Sequence, residues 1–156
     1  EPVQPTPPEL RRFADAPALA FAPEEVEGAY LPYRDGALPG FTRDLASAAI
    51  LFGQRSGTVR FVVPAGSERL LIELEGRQSR GKRSAELELR LGDAVIWHGK
   101  DAFPGSEWAR LFVIVAFERL PADVPVTVTL TNLGEPSDRG AEPWVALRAI
   151  RVRVAQ

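Results

Sequence analysis

The chain has 156 residues, of which 45% are hydrophobic, and this length most simply makes one domain with its own core. Its formal net charge is −2, without the basic excess that is typical of nucleic-acid-binding proteins. Cysteine is absent, which excludes disulfides, thiol nucleophiles and cysteine-ligated metal sites.

Four of the first eight residues are proline. This spacing predicts a Pro-rich N-terminal tether or irregular segment over residues 1–23, followed by a single β-sandwich domain over residues 24–156. Methionine is absent even at position 1, which indicates a processed form or a fragment. Pro-rich segments often link a folded module to another domain or to a membrane anchor, so we expect an exported or membrane-anchored bacterial protein in the extracellular space or periplasm, with an anchor outside this sequence as one way of holding it near a membrane. The alternative for the Pro-rich segment is a disordered chain end.

From Ile50 onward the sequence is a succession of short β-strand patterns. In the clearest, residues 124–132, valine or leucine alternates with threonine, so that apolar side chains share one face. The alternation changes parity in the closing strand, which predicts a β-bulge near Arg148 and Ala149. In chain order the predicted strands are 48–53, 57–63, 68–75, 84–91, 94–98, 109–117, 124–132 and 144–154.

Eight short strands predict an all-β fold, a two-sheet antiparallel β-sandwich of jelly-roll type behind a Pro-rich N-terminal extension. Four predicted features are distinctive: a strand with a short turn at residues 70–76, a hairpin at 89–97, a loop at 132–139 and a closing strand at 144–150. On these features the chain resembles the galactose-binding-domain-like jelly rolls, a group that includes many carbohydrate-binding modules. The resemblance implies a lectin-like or interaction module and no particular ligand.

Aromatic and polar residues alternate around the loop that follows the predicted strand at 94–98. Trp97 and Trp108 bracket this loop. His98 and Asp101 lie between them, and Arg110 follows Trp108 by two residues. Flat rings pack against the C–H faces of sugars, and polar groups bind the hydroxyls. These five residues are therefore the predicted carbohydrate-binding platform. The alternative is that the two tryptophans belong to the core of the sandwich.

A cluster of positive charge lies at a predicted hairpin tip, formed by Arg77, Arg80, Lys82 and Arg83. These four residues predict an anion-binding site for phosphate, sulfate, an anionic polymer or lipid headgroups. The alternative is a solvated loop whose charges keep the sheet soluble.

The sequence offers no pattern that is typical of catalysis. His98 is the only histidine, no GxSxG motif is present and no pair of carboxylates stands out. We therefore predict no enzyme, no catalytic residue, no metal-binding site and no cofactor. A structural calcium ion is left open, with turn aspartates as candidate ligands: Asp35, Asp44, Asp93, Asp101 and Asp138.

These observations predict a non-catalytic binding or accessory module whose ligand is a carbohydrate. The alternative is a structural or protein–protein interaction domain that binds a protein partner and no small molecule. A small hydrolase is the third hypothesis and has the least support. Nucleic acid is not an expected partner.

Overall fold

The computed structural model describes residues 5–14, 16, 19, 27–28, 31–32, 49–54, 56–80, 84–105, 107–116, 123, 125–135 and 143–155. Within these ranges the chain forms one short helix and ten strands. Helix α1 spans Pro7–Arg11, and the strands are β1 (Glu27–Gly28), β2 (Leu31–Pro32), β3 (Ala49–Phe52), β4 (Ser56–Val62), β5 (Arg69–Gln78), β6 (Leu87–Leu91), β7 (Ala94–Gly99), β8 (Ala109–Ala116), β9 (Pro125–Asn132) and β10 (Trp144–Ala155).

The strands form two five-stranded sheets. Sheet A has the order β1-β4-β9-β6-β7 and sheet B the order β2-β3-β10-β5-β8. All pairs of neighbouring strands are antiparallel. The chain crosses repeatedly from one sheet to the other, and β3 to β10 overlap the eight predicted strands. The predicted all-β, two-sheet sandwich is confirmed.

The core lies between the two sheets and is filled, among the described side chains, by inward-facing residues of β4 to β10. In β9, Val126, Val128 and Leu130 are buried, and the threonines between them are partly exposed. Val128 pairs with Val59 of β4, and Val126 pairs with Phe61, so apolar side chains meet across the ladder. Burying an aliphatic or aromatic side chain of this size stabilises a fold by about 1.5–3 kcal/mol.

Strand β10 contains the β-bulge that the sequence predicts. Its pairing with β5 shifts register between Leu147 and Ala149, which leaves Arg148 as the extra residue. Leu147 is buried before the bulge and Val152 is buried after it. The bulge therefore preserves the inward direction of the apolar side chains, and Arg148 remains exposed.

A second register shift lies in the pairing of β6 with β7. Leu89 pairs with Trp97, whereas Arg90 pairs with Val95, so Ile96 is the extra residue. As a result Trp97 joins the hydrophobic core and Val95 stays on the outside, 44% exposed. Strict alternation would have placed these two side chains on the same face.

The N-terminal segment lies against the outer face of sheet B. Helix α1 starts with a capping box, in which the side chain of Thr6 accepts a hydrogen bond from the N–H of Glu9 and the Glu9 carboxylate accepts one from the N–H of Thr6. Phe13 then packs with Leu71 and Ala155, and is only 2% exposed. The division of the chain at residue 23 stays a prediction.

Candidate functional site

The structure distributes the predicted carbohydrate-binding platform over several surfaces. Trp97 faces the core and is 9% exposed, which leaves little ring surface for a ligand. His98, its neighbour on β7, points outward from sheet A, where its Nε2 lies 2.9 Å from Oε2 of Glu86. Trp108 and Arg110 lie at the start of β8 on the outer face of sheet B. The structure therefore brings together only these two of the five residues.

The loop between β7 and β8 is held in place by one member of the predicted basic cluster, Arg80. The guanidinium of Arg80 donates to the carbonyls of Phe103 and Gly105, at distances of 2.6–3.0 Å. Its Nη1 also lies 3.8 Å from the carboxylate of Asp101, which is exposed. Arg80 thus has a structural role in this loop, and the side chain of Phe103 is fully buried.

The other three members of the predicted basic cluster are Arg77, Lys82 and Arg83. Arg77 lies on β5 and its Cζ is 5.7 Å from the centroid of the Trp108 ring. Lys82 and Arg83 lie outside the described residues. The anion-binding role of the four residues stays a prediction, and the structure relocates one of them, Arg77, to the neighbourhood of Trp108.

The pairing of β5 with β8 explains why Arg77 and Trp108 meet. Gly76 pairs with Ala109, so the residues that flank this pair, Arg77 and Trp108, lie across from each other on the opposite face of the sheet. Arg148, placed outward by the bulge in β10, completes the arrangement, with its Cζ 4.6 Å from the Trp108 centroid. These are distances at which a guanidinium and an indole ring attract each other.

Glu75 fixes the position of Arg148. Its carboxylate accepts a hydrogen bond from Nη2 of Arg148 and lies 3.7 Å from Nη1 of Arg151. The hydrogen bond from Arg148 is the main reason why the pKa of Glu75 lies below its ordinary value; burial opposes this, and the charges of Arg148, Arg110 and Arg151 add to it. We name Trp108, Arg77, Arg110, Arg148 and Glu75 the Trp108–arginine site.

The same sheet face continues into a second ionic group. Glu73 accepts from Arg151 at 2.7 Å and from Arg153 at 3.1 Å. Its side chain is 9% exposed, so both ion pairs are partly shielded from water. Glu73 and Glu75, the described glutamates of this face, are therefore both engaged with arginines.

Other candidate sites are few in the described part of the chain. No group of three His, Asp or Glu side chains there is placed to hold a metal ion. Of the candidate calcium ligands, Asp35, Asp44 and Asp138 lie outside the described residues. None of the described helices has the length and apolar character needed to cross a membrane. A depression of about 230 Å³ between α1 and sheet B is lined by Pro8, Glu9, Arg12, Arg69 and Ile114.

Comparison with solved structures supports the assignment of the fold. A family GH115 4-O-methyl-α-glucuronidase with specificity for decorated arabinogalactans matches at 10% identity and a TM-score of 0.58, over 92% of this chain and 18% of that enzyme. The CBM36-1 domain of a multidomain xylanase from the hindgut metagenome of Trinervitermes trinervoides matches at 14% identity and a TM-score of 0.46, over 84% and 95%.

The CBM22-1 xylan-binding domain of Paenibacillus barcinonensis Xyn10C matches at 10% identity and a TM-score of 0.43, over 89% of this chain and 86% of that one. The likeness to the glucuronidase, whose TM-score exceeds 0.5, supports the β-sandwich fold. At these identities the likeness concerns the fold, and the predicted resemblance is confirmed at that level. The chain spans 18% of the glucuronidase's length. No protein-family model and no curated protein matches the chain.

Two members of the site, Glu75 and Arg148, are absent from the residues that the sequence predicts. The signal for Arg148 was available, because the change of parity in β10 predicts an extra, outward residue at this position. No comparable signal identifies Glu75, which is one of several glutamates that alternate with apolar residues along strands.

Proposed function

We propose that this chain is a non-catalytic carbohydrate-binding module and that sugar binds at the Trp108–arginine site. The observation that supports this proposal is a half-buried tryptophan on the outer face of a sheet, with the guanidinium groups of Arg77 and Arg148 over its ring and Arg110 two residues further along the chain. An aromatic ring provides a flat surface for the C–H face of a sugar, and guanidinium groups donate hydrogen bonds to its oxygen atoms.

The site is organised before a ligand arrives. Arg148 is held by Glu75 and stacks on Trp108, so its side chain has already lost much of its conformational freedom. A ligand that binds beside it has a smaller entropy cost than one that must order free side chains. Strands β5, β8 and β10 carry four of the five residues and Trp108 directly precedes β8; such a base is more rigid than a loop.

The absence of catalysis is part of the proposal. Glu73 and Glu75 are both paired with arginines, and the pKa of Glu75 lies below its ordinary value, so Glu75 is not suited to act as the general acid of a glycosidase. We further propose that the protein works outside the cytoplasm, in the extracellular space or periplasm, attached to a larger protein or to a membrane. Structural polysaccharides occur there.

The experiment is affinity electrophoresis of the purified chain in gels that contain a polysaccharide, with isothermal titration for any polymer that retards it. Arabinogalactan, xylan and mannan form the first panel. We expect Trp108→Ala to weaken binding at least about tenfold, since a tenfold change needs only ~1.4 kcal/mol of lost ring contact. His98→Ala serves as the control, because His98 lies on the outer face of the other sheet and its loss leaves Trp108 in place.

Two results would overturn this proposal. One is unchanged affinity in a Trp108→Ala variant that melts at the wild-type temperature. The other is the failure of every polysaccharide, acidic or neutral, to retard the wild-type chain. The second result would favour the alternative of a structural or protein-interaction domain.

A further inference from the structure

We propose that the Trp108–arginine site selects acidic sugars, and that the carboxylate of a uronic acid residue binds near Arg77 and Arg110 while the sugar packs on the part of Trp108 that stays exposed beside the stacked arginines. This inference rests on the proposed function and defines its ligand class. It is carried by the distribution of charge over the outer face of sheet B.

This face is positive although the whole chain is slightly negative. The protein carries a formal net charge of −2. The described residues of the face around Trp108 include five arginines and two glutamates, an excess of three positive charges, contributed by Arg77, Arg110, Arg148, Arg151, Arg153, Glu73 and Glu75. A local field of this sign attracts anions from a distance of about one Debye length, roughly 8–10 Å at moderate salt.

The ion pairs show which of these arginines lack a counter-ion. Arg151 and Arg153 share Glu73, and Arg148 has Glu75. Within the described ranges, neither Arg77 nor Arg110 has a carboxylate within ion-pair distance. Arg110 acts on Glu75 only through its charge.

The two arginines without an ion pair among the described residues both lie near Trp108, Arg77 over its ring and Arg110 two residues further along the chain. Arg110 follows Trp108 by two residues on the same face of β8, a separation of roughly 6.6–6.8 Å along a strand. Arg77 approaches the ring from the neighbouring strand, 5.7 Å from its centroid. A sugar on the exposed part of Trp108 therefore lies close to both of these arginines.

The chemistry of guanidinium groups favours a carboxylate over a hydroxyl. A planar guanidinium matches the two oxygens of a carboxylate with two parallel hydrogen bonds, and charge-assisted bonds of this kind are about twice as strong as neutral ones. A neutral sugar would exclude water from part of Arg77 and Arg110 without supplying a counter-charge, and the desolvation of these charges costs free energy. An acidic sugar supplies it.

The test compares polygalacturonate with the same polymer after chemical reduction of its carboxyl groups. We expect the acidic polymer to bind about tenfold more tightly at low salt, because hydrogen bonds to charged groups are the stronger class. The preference should disappear in Arg110→Gln and shrink as NaCl is raised. Arg90→Gln is the matched control, because it removes the same charge from the outer face of sheet A, where Arg90 pairs with Glu88.

The outcomes separate this inference from the function on which it rests. Equal binding of acidic and reduced polymers would overturn the inference and leave carbohydrate binding intact. Failure of these two polymers and of the neutral panel would overturn both. Equal retention of polyphosphate, unaffected by Trp108→Ala, would also overturn the inference, since it would show a general attraction of polyanions that does not involve the ring. An equal loss of preference in Arg90→Gln would exclude local recognition.

Discussion

Gly76 provides a sensitive test of how the core positions the site. It lies in β5 between Glu75 and Arg77, and its own position faces the core. A Cβ atom added there would lie 2.7 Å from the main-chain oxygen of Ala146 and 2.8 Å from two ring carbons of Phe103. Real Cβ atoms do not approach other atoms so closely, so Gly76→Ala must displace a strand, the ring or both.

The cost follows from what has to move. Overpacking a core typically costs about 1–3 kcal/mol, and we expect ~3 kcal/mol here because one of the two obstacles is backbone in the centre of sheet B. The Phe103 ring is fully buried and cannot turn outward freely. In a Phe103→Leu background, which lacks the two ring carbons, the same substitution should cost only ~1–2 kcal/mol, the part due to the Ala146 oxygen.

The assay is urea unfolding of the wild type, both single variants and the double variant, followed by tryptophan fluorescence. A coupling free energy of at least ~1 kcal/mol between the two positions is the expected result. A Gly76→Ala variant within ~0.5 kcal/mol of the wild type would refute the reasoning. So would an equal cost in both backgrounds. A displaced β5 should also weaken polysaccharide binding, because Arg77 follows Gly76 directly.

Three other predictions concern single side chains. Asn132 is fully buried and bridges the N–H of Gly134 to the carbonyl of Pro143; Asn132→Ala should lower the free energy of unfolding by about 3 kcal/mol, measured in urea. Because the pKa of Glu75 is lower in the folded protein, its ionised carboxylate stabilises the fold at pH values above the ordinary glutamate pKa of ~4.3. This contribution disappears as the pH falls through the folded-state pKa. The stability advantage of the wild type over Glu75→Gln should therefore shrink between pH 6 and pH 3, and an advantage that is constant across this range would contradict the linkage. Phe13→Ala should increase hydrogen exchange around residues 5–14 with little change in β5, since Phe13 holds this segment on sheet B; unchanged exchange there would count against the packing.

The strand pattern could be predicted because alternation is a local property of the sequence. Strand β9 shows this well, since each valine or leucine that alternates with threonine is buried. The bulge at Arg148 was predictable for the same reason: apolar residues on both sides of it can face the core only if one residue is extra. Which strands pair across the sheets could not be deduced, because partners such as Ser56 and Thr131 are distant in sequence.

The site was only partly predictable, because side-chain direction depends on register. Trp97 and Trp108 look equivalent in the sequence, yet the irregularity at Ile96 sends Trp97 inward while Trp108 stays partly exposed. The glycan loop and the basic cluster were predicted as separate features. Only the pairing of β5 with β8 shows that Arg77 belongs beside Trp108.

The position of β10 has a consequence for how the protein is made. This strand lies between β3 and β5, and it pairs with residues 49–52 and 69–78, which precede it by more than sixty positions. During synthesis, sheet B therefore lacks its middle strand until residues 144–155 have left the ribosome. Until then the neighbours β3 and β5 expose unpaired backbone edges, which are prone to aggregate. We expect chaperones that shield nascent chains to matter more for this protein than for one assembled from adjacent hairpins.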